Sequence, residues 1–205
     1  MTIVQDRPPA GDEADRANQA RRAMIDSQLR TSGVNAEPVL RRMSEVARED
    51  FVPAIARGFA YIDRAIALGD GRHLAAPVVH GMMLQEARPG PSDTVLLVDG
   101  GSGYLAELLR PLVGSLEVVG PEDAGAKSRK GDFTLLVIDG AVERLPDALI
   151  GRLADDARAV AGVVENGVTR LAIGRKAAGA LALLPLAELG IPVLGEFAAP
   201  KGWSF

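Results

Sequence analysis

The sequence predicts an α/β fold with a mostly parallel sheet, and three observations predict it. Residues 95–108 read "VLLVDGGSGYLAEL", an apolar strand-like run that enters a glycine cluster and then a helix-like stretch. From residue 93 onward, short apolar runs alternate with polar loops and helical segments, as in a sheet with crossover connections. Residues 14–48 carry helical periodicity instead, which predicts a helical extension ahead of the sheet.

The elements follow in order. Residues 1–12 are polar, with Pro8, Pro9 and Gly11, and read as a flexible tail. Ala14 to Ser32 reads as a helix, with Ala20, Met24, Ser27 and Leu29 near one stripe and Gly33 as its stop. A second helix is expected from about Ala36 to Arg48, burying Val39, Leu40, Met43 and Val46. The stretch up to residue 76 reads as loop with few regular elements, and a helix follows Pro77. After the turn-rich "RPGPSD" come a strand at Val95–Val98, the loop Asp99–Gly103, a helix Tyr104–Leu112 and a strand near Leu116–Val119. The segment "GPEDAGAKSRKGD" reads as polar loop, and a strand Phe133–Ile138 follows. Pro146 suits the first turn of a helix. Strands are expected at Arg158–Val164 and Thr169–Arg175, joined by the turn signal "ENG", with Ala180–Leu186 closing the sheet. The expectation is one domain over residues 13–205, with a helical and loop region at 13–92 and an α/β core at 93–205.

Composition bounds the chemistry. The 205 residues are 47% hydrophobic, enough for a core of aliphatic side chains. A net charge of −4 argues against a general nucleic-acid surface. With no cysteine there is no disulfide, thiolate metal site or cysteine nucleophile, and His73 and His80 alone do not make a multi-histidine metal centre. The N-terminus has no apolar core of a signal peptide, and no apolar run reaches the ~18–20 residues of a spanning helix. The expectation is a cytoplasmic protein that engages neither nucleic acid nor membrane.

A strand, a glycine loop and a helix start present free backbone N–H groups to a ligand. No lysine follows the loop as in a phosphate-binding P-loop. The stretch "VLLVDGGSGYLAELL" resembles the first motif of the protein-L-isoaspartate O-methyltransferase family. Further stretches match in the same order: "MIDSQLRTSGV" (24–34), "VLRRMSEVAREDFVP" (39–53), "AYIDRAIALGDGRHLAAP" (60–77), "FTLLVIDGAVERLPDAL" (133–149) and the ending "FAAPKGWSF". The resemblance runs from about residue 20 to the end. It implies a class I methyltransferase, a Rossmann-like, doubly wound and mostly parallel sheet. It also implies S-adenosylmethionine as methyl donor and isoaspartyl carboxylates of damaged proteins or peptides as acceptors. Such an enzyme needs no metal; it acts by bringing a sulfonium methyl and a carboxylate oxygen into line.

The resemblance implies Asp99, Gly100, Gly101, Ser102, Gly103 and Glu122 as cofactor contacts, and Asp139, Glu143 and His73 around the substrate. Three departures weaken it. Leu97 stands where the family carries an acid, and Asp99 replaces the loop's first glycine; Asp99 either faces the cofactor's amino group or caps the following helix. Ala75 stands where the family carries a serine near the donor methyl. Third, 29 residues run from Tyr104 through Asp132, and a ten-residue helix leaves 19. Two strands and a crossover of about 10–12 residues exceed that, so one βα unit is expected to be missing, leaving a sheet of about six strands. If Leu116–Val119 is the second strand, Glu122 is the ribose carboxylate; if it is the third, none remains and Glu117 is an exposed strand residue. Weak or lost activity follows, and a non-catalytic binding or assembly module descended from the methyltransferase is the alternative.

Overall fold

A computed structural model describes residues 10–125 and 132–199. Most of the expected tail therefore lies outside the described residues, as do residues 126–131 of the polar loop and residues 200–205 of the aromatic ending. The helix α1 spans Ala10–Met24 and continues through a wider π turn over Ile25–Leu29. It starts four residues before the expected Ala14, so residues 10–12 are helix and not tail. Helix α2 spans Glu37–Glu45 and buries Val39, Leu40 and Met43. It ends before the expected Arg48, which opens a 3₁₀ turn over Arg48–Phe51 instead.

Residues 54–76 hold more order than expected. A 3₁₀ turn covers Ala54–Phe59, and β1 (Ile66–Gly69) pairs antiparallel with β2 (Arg72–Leu74). Helix α3 (Pro77–Ala87) starts at the proline, whose fixed φ and missing N–H suit a first turn. It is buried along nearly all its length, which is why its sequence shows no polar face.

The central sheet uses β3 (Thr94–Val98), β4 (Ser115–Val119), β5 (Phe133–Val142), β6 (Leu153–Glu165), β7 (Val168–Ala177) and β8 (Ala180–Glu188). Their spatial order is β4-β3-β5-β6-β7-β8; the first four are parallel, and the β6–β7 and β7–β8 pairs are antiparallel. The β6–β7 turn places Asn166 and Gly167 at φ 53° and 78°, the positive values a tight hairpin turn demands. Helix α4 is shorter than expected, Tyr104–Leu109, because Pro111 cannot donate to an α-helical ladder; a 3₁₀ turn over Arg110–Leu112 completes the segment. The helix at Pro146 is a single turn, α5 (Asp147–Ile150).

Strands β3 and β5 are buried on both faces, which explains their unbroken apolar runs. Val95, Leu97, Leu135 and Val137 pack with Met24, Leu29, Met43 and Leu84 of the helices, in a core that reaches Ile191. Leu96, Val98, Leu136 and Ile138 pack on the other face with Leu149, Leu194 and Phe197. The chain passes from β3 outward to β4, then returns past β3 to β5. Strand order thus reverses around β3, and in open α/β sheets ligands bind at the carboxyl ends of the strands at such a point. Between β4 and β5 the described residues form only turns, and β5 pairs directly with β3, so β4 is a sheet edge. None of the described helices is long and apolar enough to cross a membrane.

Candidate cofactor and substrate site

Strand β3 delivers Asp99 to the reversal point, where its N–H donates to the Val119 carbonyl at 2.9 Å. The Asp99 carboxylate then accepts from the N–H groups of Gly101 at 3.0 Å and Gly103 at 3.1 Å. The Ser102 hydroxyl oxygen accepts from the Tyr104 N–H at 3.2 Å. Asp99 therefore braces the loop from within and does not cap the N–H groups inside α4. Burial pushes its carboxyl pKa up, and the neighbouring charge of Asp139 adds to the rise. Leu97 is fully buried against the helical core. An acid at that place would meet hydrocarbon.

Gly100 packs against β5: a Cβ there would collide with the Asp139 carbonyl oxygen and stand 3.5 Å from the Asp139 carboxyl carbon. The Asp139 side chain is 1% exposed, and one of its oxygens accepts from the His80 Nε2–H at 2.9 Å. On its other side, the His80 Nδ1 lies 3.2 Å from Arg48 Nη1. A guanidinium only donates, so Nδ1 is the acceptor and the proton sits on Nε2. Arg48 is itself fully buried; it donates to the carbonyls of Ala60 and Ala75 and lies over the Tyr104 ring, 5.0 Å from its centre. A buried row Arg48–His80–Asp139 thus runs beneath the glycine loop. The second oxygen of Asp139 meets no partner among the described residues.

The other expected positions separate. Ala75 is buried between β2 and α3, and its carbonyl holds Arg48. His73 pairs with Ala67 in the hairpin, half-buried. Glu143 serves the C-terminal segment: its carboxylate accepts from the Ala199 N–H at 2.7 Å, and its own N–H donates to the Phe197 carbonyl. No hydrogen bond among the described residues ties it to the glycine loop or to Asp139. Two grooves, of about 550 and 320 Å³, lie along β6–β8 and beside β5–β6.

β4 flanks β3 on the side away from β5, the place of a second strand, so Glu122 is the first carboxylate beyond its carboxyl end. Glu117 instead pairs with Arg152. The Glu122 side chain folds over Gly120 and accepts from Arg72 Nη2 at 3.1 Å. The same nitrogen reaches Glu196 at 2.7 Å. Arg72 also fills the space above the loop, where a Cβ on Gly101 would stand 3.0 Å from its Cγ. Gly101 has φ +103°, a conformation that strains any β-branched residue. Gly101→Val would therefore strain the backbone and press on Arg72 whether or not a ligand binds. Sequence reasoning missed Arg48, His80 and the bridging part of Arg72, because their partners are distant in sequence.

The chain's residues 19–129 match the family model described as protein-L-isoaspartate(D-aspartate) O-methyltransferase. A Pelotomaculum thermopropionicum protein-L-isoaspartate O-methyltransferase is 30% identical over 223 residues, covering 95% of this chain and 96% of its own. One from Koribacter versatilis is 29% identical, covering 86% and 91%. A Plasmodium falciparum structure described by the same activity, in complex with S-adenosyl-L-homocysteine, superposes with a TM-score of 0.68 at 16% identity, over 88% of this chain and 98% of that one.

Proposed function

From a chain that belongs to the protein-L-isoaspartate O-methyltransferase family, we infer a protein that binds S-adenosylmethionine weakly and transfers its methyl group to isoaspartyl carboxylates slowly. One observation carries the reading: the glycine loop stands at the carboxyl end of β3, beside β4 and Glu122, where strand order reverses. Glu122 has the chemistry to accept two ribose hydroxyls. Gly100, Gly101, Ser102 and Gly103 supply the close backbone face, and Asp99 holds that face in shape. The bound cofactor supplies an activated methyl; the chain's own task is to hold acceptor and donor in line. His73, at the hairpin beside Ala75, stands on the substrate side of this reading. Asp139 enters it through its bond to His80 beneath the loop, and Glu143 only through the C-terminal segment. The acceptors are isoaspartyl proteins or peptides, met in the cytoplasm, with no role for nucleic acid.

A second reading, a non-catalytic module that keeps the fold, draws support from two observations. Ala75 offers no hydroxyl, and Glu122 is already paired with Arg72. Calorimetry of the full chain with S-adenosylhomocysteine tests the first reading. Saturable binding with a Kd below about 1 mM is expected. No binding at that level sinks the cofactor assignment and leaves the module.

A further inference from the structure

We propose that Arg72 is a displaceable strap that closes the cofactor site and sets its affinity. The inference rests on the cofactor reading above and adds what regulates that site. The side chain does two things at once. Its stem covers Gly101, with Cβ, Cγ and Cδ all within 3.2 Å of where a Cβ on that glycine would stand. Its head ties two carboxylates together, Glu122 beyond β4 and Glu196 in the 3₁₀ turn Gly195–Phe197. Three elements far apart in sequence, the β1–β2 hairpin, the turn after β4 and the C-terminal turn, thus meet through one guanidinium.

Both places it holds are the ones a nucleoside bearing an amino-acid tail needs. A ribose diol engages both hydrogen-bonding faces of a carboxylate, and Glu122 spends one on Arg72. Close approach to the loop requires the space above Gly101, and the Arg72 stem is in it. Ligand and strap therefore compete. Beyond its Cβ the strap can yield without backbone movement: Arg72 has several rotatable bonds, is partly exposed, and has Glu196 as a second partner besides Glu122. The Glu122 side chain is 62% exposed, so this pair weakens as salt rises.

The test is calorimetric titration of S-adenosylhomocysteine into the natural chain, Arg72→Ala and Arg72→Gln, at low and high salt, with melting curves to confirm folding. The expected result is that both variants bind about three- to tenfold more tightly than the natural chain. The natural chain's affinity rises from about 0.05 to 0.5 M salt while the variants' does not. Equal affinity in all three, or weaker binding by the variants, overturns the strap while leaving cofactor binding intact. Absence of binding in all three overturns the strap and the cofactor reading together.

Discussion

Arg48 is the residue whose burial most needs explaining. A guanidinium with no solvent exposure survives only if its donors are met and its charge is balanced. Two carbonyls and the His80 ring give each guanidinium nitrogen a partner, and the Asp139 carboxylate balances the charge through the imidazole. Arg48→Met keeps the length and removes the charge, leaving Asp139 as an uncompensated buried anion. It is expected to cost about 3–5 kcal/mol in urea denaturation. If the row acts as a unit, Asp139→Asn restores part of that loss in the double variant, and a double-mutant cycle shows a coupling of about 1 kcal/mol or more. Strict additivity of the two losses contradicts a linked row.

Among the connecting elements, Asp93 does the most joining. Its carbonyl accepts from Gly114 and Ser115 at the start of β4, and its carboxylate accepts from Gly90, the Thr134 hydroxyl of β5 and Arg158 of β6. Burial alone would push this carboxyl up, but the Arg158, Gly90 and Thr134 hydrogen bonds outweigh it and hold the pKa below the usual value. A depressed folded-state value stabilises the fold above the unfolded pKa of about 3.9, and that contribution is lost as pH falls lower. Asp93→Asn is expected to cost about 1–3 kcal/mol at neutral pH. In melts at stepped pH, the gap from the natural chain should close below about pH 4; a gap constant down to pH 2 contradicts the assignment.

The same elements show what the sequence makes legible. Val95–Val98 and Phe133–Ile138 announce themselves because strands covered on both faces need unbroken apolar runs. The β1–β2 hairpin was hidden because "RHL" is polar, although Asp70–Gly71 is a hairpin turn signal, with φ 49° and 75°. The glycine loop could be read because its residues are contiguous. Arg48, His80 and Asp139 could not, since they are 32 and 59 positions apart and only packing brings them into one row.

At the scale of the whole molecule, the short link between β4 and β5 governs what the fold can do. With β5 seated directly beside β3, no described strand lies beyond β4, whose Val118 is 41% exposed. On the proposed reading, a nucleotide pocket here has one wall fewer, alongside a hydrocarbon at Leu97 and a methyl at Ala75 where the resemblance implies an acid and a hydroxyl. Each loss is worth about 1–3 kcal/mol of transition-state stabilisation, and three sharing one site do not add simply. On the proposed reading, their combined effect is expected to be a slowing on the order of a thousandfold. In a labelled-methyl assay with an isoaspartyl peptide, turnover far below ~1 s⁻¹ is expected. Ala75 is fully enclosed beside the carbonyl that holds Arg48, so Ala75→Ser adds one oxygen at a fixed place and leaves the loop untouched. It should raise the rate about tenfold if that hydroxyl is the missing donor. A natural chain that turns over at ~1 s⁻¹ or faster contradicts the slow reading. A slow chain that Ala75→Ser does not accelerate points instead to the lost pocket wall as the limiting defect.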